Sequence, residues 1–471
     1  MTSITVYDGN DTIGGNKIYV EERGQGLFLD FGANLHNYDK FYKWPNQPRT
    51  IRGIYDYWHL NFIPHLNIYR QDLIPSDLDI SSFPKLDVRA VLLSHVHMDH
   101  YGCIGFLNKS IPVVASSITL ALLKGLQDTI TMDAGCEVIY INKRRPDPSE
   151  KRVLSPVERC GRSLVTTDLY NNNIEEFLWQ RSRKTAEIKR GKLTPLKDYE
   201  LPFNVIPYQT DHSVYGSVAY VLEGDHSIAY TGDIRLHGER KQKSKHFVNS
   251  ARNSDILIIE GTRLTGENIF DSEEFVYDAC YRAVDMAKGL VIADFTSRNL
   301  ERLEIFKQIA SETNRQLVIT PKDAYLLYVL ELADNIDHLR DIGIYQRPMS
   351  KSPYWEYQIL QENKHPEYIT SKAINNNPDR YILCFSSWDI PNFLDIRPDK
   401  GIYIYSSTGA YKTEQEFDFI RLNEWLKFTE DPNKGIRPKG FRIEEIDKEK
   451  KPIFTRGFHA SGHASEDEIE W

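Results

Sequence analysis

Val91-Leu92-Leu93-Ser94-His95-Val96-His97-Met98-Asp99-His100 is the stretch on which the fold and chemistry of this chain turn. An apolar run with the look of a buried strand ends in four potential metal ligands: His95, His97, Asp99 and His100. Alternation along an extended chain puts His95 and His97 on one side of the strand end. Asp99 and His100 turn the other way as the chain leaves it. Neutral imidazole and carboxylate are the donors that zinc takes, and three histidines crowded at one strand end pack poorly for any other purpose. Two later segments supply further donors. Thr210-Asp211-His212-Ser213 follows the apolar stretch Phe203–Pro207, and Ala229-Tyr230-Thr231-Gly232-Asp233 is a strand running into a turn. Asp233 stands where a carboxylate bridges two cations.

The surroundings read as a large α/β protein. Short apolar runs at Lys17–Glu21, Leu27–Phe31 and Val88–Leu93 are bounded by turn residues, and similar strands follow at Ser217–Leu222, Ser227–Thr231 and Ile256–Glu260. From Asp271 the texture changes. Helical patterns at Glu274–Ala287, Asn299–Thr313 and Pro321–Ala333 alternate with strands at Leu290–Phe295 and Gln316–Thr320, as in a parallel α/β unit. Strands at Tyr381–Phe385 and Gly401–Tyr405 and a helix near Glu414–Phe428 complete it.

With 471 residues, 41% apolar and 27% charged, the chain is too long for one small module and too apolar for general disorder. A net charge of −9 excludes a wholly basic nucleic-acid binder but leaves room for a local basic surface. Two stretches offer one: the strand-poor, charge-rich region 143–197, and Arg235 and Arg240 with Lys241, Lys243 and Lys245. The five cysteines are scattered singly with no CxxC, which argues against a disulfide scaffold or a thiolate zinc ribbon and fits a reducing cytosol. No signal peptide and no membrane span is visible, so a cytoplasmic protein is expected.

His95-Val96-His97-Met98-Asp99-His100, then His212, then Asp233 resembles the ligand series of the metallo-β-lactamase fold, and Asp30 in Leu27–Gly32 resembles its first motif, an aspartate beneath the site. Ile258-Ile259-Glu260-Gly261-Thr262 is similar to the acidic motif of the β-CASP nucleases, and His459-Ala460-Ser461-Gly462-His463-Ala464 to their histidine motif. The resemblance is closest to the archaeal RNase J-like members. It implies an αββα metallo-β-lactamase sandwich with an inserted parallel α/β β-CASP domain. The first part of the sandwich would occupy residues 1–261, the β-CASP domain 262–437, and the return to the sandwich 438–471.

The same resemblance implies two zinc ions, one on His95, His97 and His212 and one on Asp99 and His100, with Asp233 bridging. It implies a ribonuclease that cuts single-stranded RNA, from the 5′ end or internally, through a metal-bound hydroxide. Asp99, Glu260 and His463 would be catalytic, with His463 the acid for the leaving group and Glu260 its orienter. His459, Ser461, Ser297 and Arg298 would contact substrate. Asp294 and Asn299 sit where phosphate contact and simple helix capping are equal readings. A homodimer is also within the family's range. The family's last zinc histidine, some twenty residues beyond the His463 motif, has no counterpart before Trp471, and Ser465 with Glu468 announces a helix that the chain barely begins. The expectation is a truncated chain with a weakened second zinc site. The alternatives are a hydrolase of a small ester or lactone on the same fold, and a catalytically weakened RNA-binding paralogue.

Overall fold

A computed structural model describes residues 1–471 except 43–45, 130–132, 169–171, 182–186, 265–271, 296–297, 349–358, 361, 363, 365, 408–415, 428–434 and 447–448. Two sheets face one another across the first half of the chain. The first has seven strands that lie side by side in chain order: β1 (Thr2–Asp8), β2 (Lys17–Glu22), β3 (Gln25–Leu29), β4 (Val88–Leu92), β5 (Val113–Ala115), β6 (Ser163–Thr166) and β7 (Lys192–Pro195). β1, β2 and β3 form an antiparallel meander, and β3 through β7 pair in parallel. The second sheet runs β8 (Asn204–Gln209), β9 (Val218–Glu223), β10 (Ser227–Tyr230) and β11 (Ile256–Ile258).

Alternation explains the layering. Ile18, Val20, Leu27, Leu29, Ala90 and Leu92 of the first sheet meet Val205, Tyr220, Leu222, Ile228 and Tyr230 of the second in one core. The intervening residues Phe28, Val91 and Val113 face the other way, into a core shared with helix α2 (Ser117–Thr129). Ala219, Val221 and Ala229 on the outer face of the second sheet pack on Phe247 of helix α3 (Lys241–Ala251) and on Ala464. The result is the four-layer αββα arrangement expected from the sequence.

A third sheet of seven parallel strands follows, β12 (Leu290–Asp294), β13 (Gln316–Ile319), β14 (Gly343–Gln346), β15 (Tyr368–Thr370), β16 (Tyr381–Cys384), β17 (Lys400–Tyr405) and β18 (Gly435–Lys439), in the spatial order β15-β14-β13-β16-β12-β17-β18. Helices α4 (Glu273–Asp285), α5 (Leu300–Glu312) and α6 (Pro321–Asp334) place their buried residues in the core that α2 also enters. At the α2–α6 contact a Cβ on Gly125 would lie 2.9 Å from Leu326, so the helices approach to the limit that glycine allows. Strand order reverses around β12.

Region 143–197 differs from expectation. It is not strand-poor: Leu154–Gly161 pairs with Tyr140–Pro146 and with Ile188–Lys189 in a separate three-stranded sheet, and β6 and β7 also lie within it. Its basic residues are largely spoken for. Lys143 and Lys189 bind Glu158, Arg144 binds Glu137, Arg190 binds Glu175, and buried Arg162 donates to the carbonyls of Asn108 and Ile111. Cross-strand ion pairs sustain a charged sheet whose hydrophobic signal is too thin to read. No described helix is long and apolar enough to cross a membrane.

Candidate metal centre

The ends of β4 and β10 and the turn after β8 deliver their polar residues to one point. β4 stops at Leu92, and His97 leads into a single turn of helix, α1 (Met98–Tyr101). The turn is held against β3 so closely that a Cβ on Gly32 would lie 1.6 Å from the Asp99 carbonyl oxygen. Ligand atoms of His95, His97, His212 and Asp233 all lie within 4.8 Å of one another, as do those of Asp233, Glu260 and His463. His95 and His212 are fully buried.

Hydrogen bonds fix which ring nitrogen of each histidine faces inward. His212 Nδ1 donates to the Gly462 carbonyl at 2.7 Å. His95 Nδ1 lies 2.9 Å from Ser94 Oγ, whose own proton goes to Asp30 at 2.7 Å, so the ring donates there too. His100 Nδ1 donates to Asp30 at 2.7 Å. His95 and His212 therefore turn Nε2 toward the cluster with its lone pair exposed, whereas for His100 burial opposes protonation but Asp233, Asp99 and Asp30 raise it well above the usual imidazole range. His97 Nδ1 sits 2.9 Å from His95 Nε2 and 3.0 Å from His212 Nε2. Three ring nitrogens at these distances share at most one proton, which is a repulsive arrangement unless a cation lies among them. The donor set fits a metal ion. Burial first, then neighbouring His95, holds His97 and His212 well below the usual imidazole range, in the neutral form that binds metal.

Asp233 divides its oxygens. Oδ2 lies 3.4 Å from His95 Nε2, 3.6 Å from His212 Nε2 and 3.7 Å from His463 Nδ1, while Oδ1 lies 3.2 Å from His100 Nε2. Burial opposes its charge, but His100, His463 and His95 together hold its carboxyl well below the usual carboxylate range. Asp99, 27% exposed, reaches to 3.7 Å from His100 Nε2. Beneath the cluster Asp30 takes a left-handed backbone (φ 55°) and accepts from the Ser94 amide at 2.7 Å and the Tyr230 hydroxyl at 2.5 Å, besides Ser94 Oγ and His100. Tyr230 and Ser94 gave no separate sequence signal, because a hydroxyl beside a motif reads as filler until its partner is seen.

Glu260 and His463 meet across the cluster. Glu260 Oε1 accepts the Ile234 amide at 2.7 Å, and Oε2 accepts His463 Nδ1 at 2.7 Å. Burial opposes protonation of His463, but Glu260 and then Asp233 raise it to about 9. His463 also donates its amide to Ser461 Oγ at 3.1 Å. His459 is placed among aromatic rings, 5.9 Å from Phe454 and 6.4 Å from Tyr405 between centroids. Arg298 lies close enough to His97 to depress its proton affinity. Ser297 falls outside the described residues. Asp294 accepts the Tyr403 hydroxyl at 2.5 Å, and Asn299 caps α5 through the Arg302 amide at 3.1 Å.

Of the second basic stretch, Arg235 is wholly buried, and Arg240 stacks 3.9 Å over Tyr215 while donating to the His212 carbonyl. Neither is the solvated charge that its sequence neighbourhood suggests. His237 lies 3.0 Å from Glu468 through Nδ1 and 3.0 Å from the Ser461 carbonyl through Nε2.

Residues 67–292 match the sequence profile of the Metallo-beta-lactamase superfamily. The chain carries a metallo-beta-lactamase superfamily domain. This superfamily domain holds the β4 motif, His212 and Asp233 within the matched span. The curated protein named Probable RNase MJ4, from Methanocaldococcus jannaschii, is 26% identical over 182 residues, covering 37% of this chain. The chain spans 34% of that relative's length. A crystal structure of a protein of unknown function from Enterococcus faecalis V583 superposes with a TM-score of 0.63 at 19% identity, covering 100% of this chain and 90% of that one. The two-sheet sandwich and the third sheet thus occur together in a solved fold.

Proposed function

We propose that the chain is a zinc-dependent phosphodiester hydrolase that cuts single-stranded RNA, with the third sheet and its helices as a β-CASP domain (262–437) inserted into a metallo-β-lactamase sandwich (1–261 and 438–471). The observation that carries the reading is the Glu260–His463 pair, 2.7 Å apart beside Asp233. Hydrolysis of a phosphodiester needs a proton delivered to a departing alkoxide, and His463 stands next to the cluster with Nδ1 committed to Glu260, leaving Nε2 for that transfer. A small activated ester has less need of such a donor. The printed name of the Methanocaldococcus relative, a probable RNase, points the same way.

His95, His97 and His212 would hold one zinc, Asp99 and His100 the second, and Asp233 both. Bound there, zinc supplies Lewis-acid polarisation of a phosphate oxygen and brings the pKa of water at the site down to about 7. Glu260 fixes the His463 ring and favours its protonated form. Arg298 adds positive charge beside His97, Ser461 keeps a hydroxyl proton to donate, and with Ser297 and His459 they would line the path of the phosphate backbone.

The test is incubation of the chain with RNA labelled at either end, with and without a chelator, beside His97→Ala. Metal-dependent shortening that is lost in the variant is the expected result, and the two labels separate trimming from internal cuts. Ester turnover without RNA cleavage, or salt-sensitive RNA binding without cleavage, refutes the reading.

A further inference from the structure

The two halves of the site are carried by segments remote in sequence, yet one buried side chain touches both. Arg235 follows Asp233 by two residues and is 0% exposed. Its Nε donates to Asp211 Oδ1 at 3.1 Å, immediately before the ligand His212. Its Nη1 donates to the Ser461 carbonyl at 3.1 Å, between His459 and His463, and reaches Glu273 of α4 at 3.3 Å. Its Nη2 binds Glu301 of α5. Glu301 in turn accepts the Glu239 amide at 2.7 Å. Arg302, also buried, extends the network by binding Glu273 at 2.7 Å and the Phe458 carbonyl at 3.2 Å.

Three carboxylates and two guanidiniums are thus sealed in a space with almost no solvent. A buried charge network is poor evidence of stability in itself, since a well-packed apolar cluster does as well. What this one provides is geometry. The planar fork of Arg235 sets the distance between the 211–212 turn and the 461–462 backbone, the same two segments that His212 Nδ1 joins through the Gly462 carbonyl. If those segments drift apart, His212 loses the acceptor that fixes its ring, and His463 shifts with the same loop.

We propose that Arg235 is a positioning residue that holds His212 and the His463 loop in register and ties both to helices α4 and α5 of the third-sheet layer. The proposal rests on the reading of the cluster as a metal centre. It does not require that the substrate be RNA.

The experiment is competition for zinc between the full chain and a chromogenic chelator, for wild type, Arg235→Lys and Leu327→Ala. Leu327 is fully buried in α6 and has no part in the cluster, so its truncation reports on lost stability alone. The expected result is that Arg235→Lys, which keeps the charge but loses the fork, retains zinc roughly tenfold less tightly than wild type, as is usual when a ligand's supporting partner is removed. Leu327→Ala retains it normally. Wild-type zinc retention in Arg235→Lys, or equal losses in both variants, overturns the proposal. If Arg235→Lys does not fold, Glu301→Gln carries the test, with the same direction expected and unchanged retention overturning it. A wild-type chain that holds zinc yet leaves RNA intact refutes the proposed function and leaves this experiment standing.

Discussion

Replacing Asp30 by asparagine tests whether the metal centre is preorganised from below. Asp30 Oδ2 accepts from Ser94 Oγ, His100 Nδ1 and the Tyr230 hydroxyl, and Oδ1 accepts the Ser94 amide. An asparagine that keeps its oxygen toward the three donors turns its NH2 group on the Ser94 N–H, and that orphaned amide costs roughly 2 kcal/mol. The three remaining bonds lose their charge assistance, at roughly 1 kcal/mol each. The sum is about 5 kcal/mol before relaxation, so the expected destabilisation is about 3–5 kcal/mol. Zinc retention falls as well, by roughly 10–100-fold, because His100 no longer has a carboxylate behind it and Ser94, held by a weaker acceptor, orients His95 less firmly. Urea denaturation of the metal-free chains measures the first effect and chelator competition the second. Asp30→Asn within about 1 kcal/mol of wild type, with zinc held as tightly, would refute the argument.

Three further outcomes are expected. Gly32→Ala drives a Cβ into the Asp99 carbonyl, 1.6 Å away, so the Met98–Tyr101 turn cannot close on β3; the soluble yield and the thermal midpoint both fall, by more than for Gly24→Ala, where nothing lies within 4 Å. Chelator lowers the thermal midpoint of wild type more than that of His97→Ala, since bound metal at 100 times its Kd adds about 2.7 kcal/mol to the native state. Burial raises the Asp294 carboxyl from 3.8 to about 7. The native state therefore holds a proton that the unfolded chain has released between about pH 4 and 7, so stability declines as pH rises through that window, by up to about 4 kcal/mol. Asp294→Asn flattens that slope and is the more stable form at pH 8, which denaturation at pH 5 and pH 8 checks.

The parts of the site legible in the sequence were those whose donors cluster along the chain. His95, His97, Asp99 and His100 announce themselves because a strand end compresses four ligands into six positions, and His212 and Asp233 follow the same grammar of strand then turn. Strands β12, β13, β16 and β17 of the third sheet were equally plain, since runs such as Leu290–Asp294 are almost wholly apolar, but the short β14, β15 and β18 went unread. Arg235 was not legible. In sequence it heads a run of lysines and reads as solvated charge, and only its partners Asp211, Glu273 and Glu301, distant along the chain, reveal a buried role. The strands at 154–161 were missed for a related reason: Glu158 and Arg159 satisfy cross-strand partners, so polar residues stand where apolar ones would have signalled a sheet.

The hydrogen bond from His212 to the Gly462 carbonyl spans 250 positions of the chain. During synthesis the β4 ligands emerge early, and His212 well before the midpoint, but the ring of His212 has nothing to fix its orientation until residue 462 has left the ribosome and folded back. Glu260 likewise waits for His463. A nascent chain of some four hundred residues thus lacks the partners that orient the His212 ring and the Glu260 carboxylate. The arrangement of the centre is therefore complete only once residues 459–463 have folded back over it.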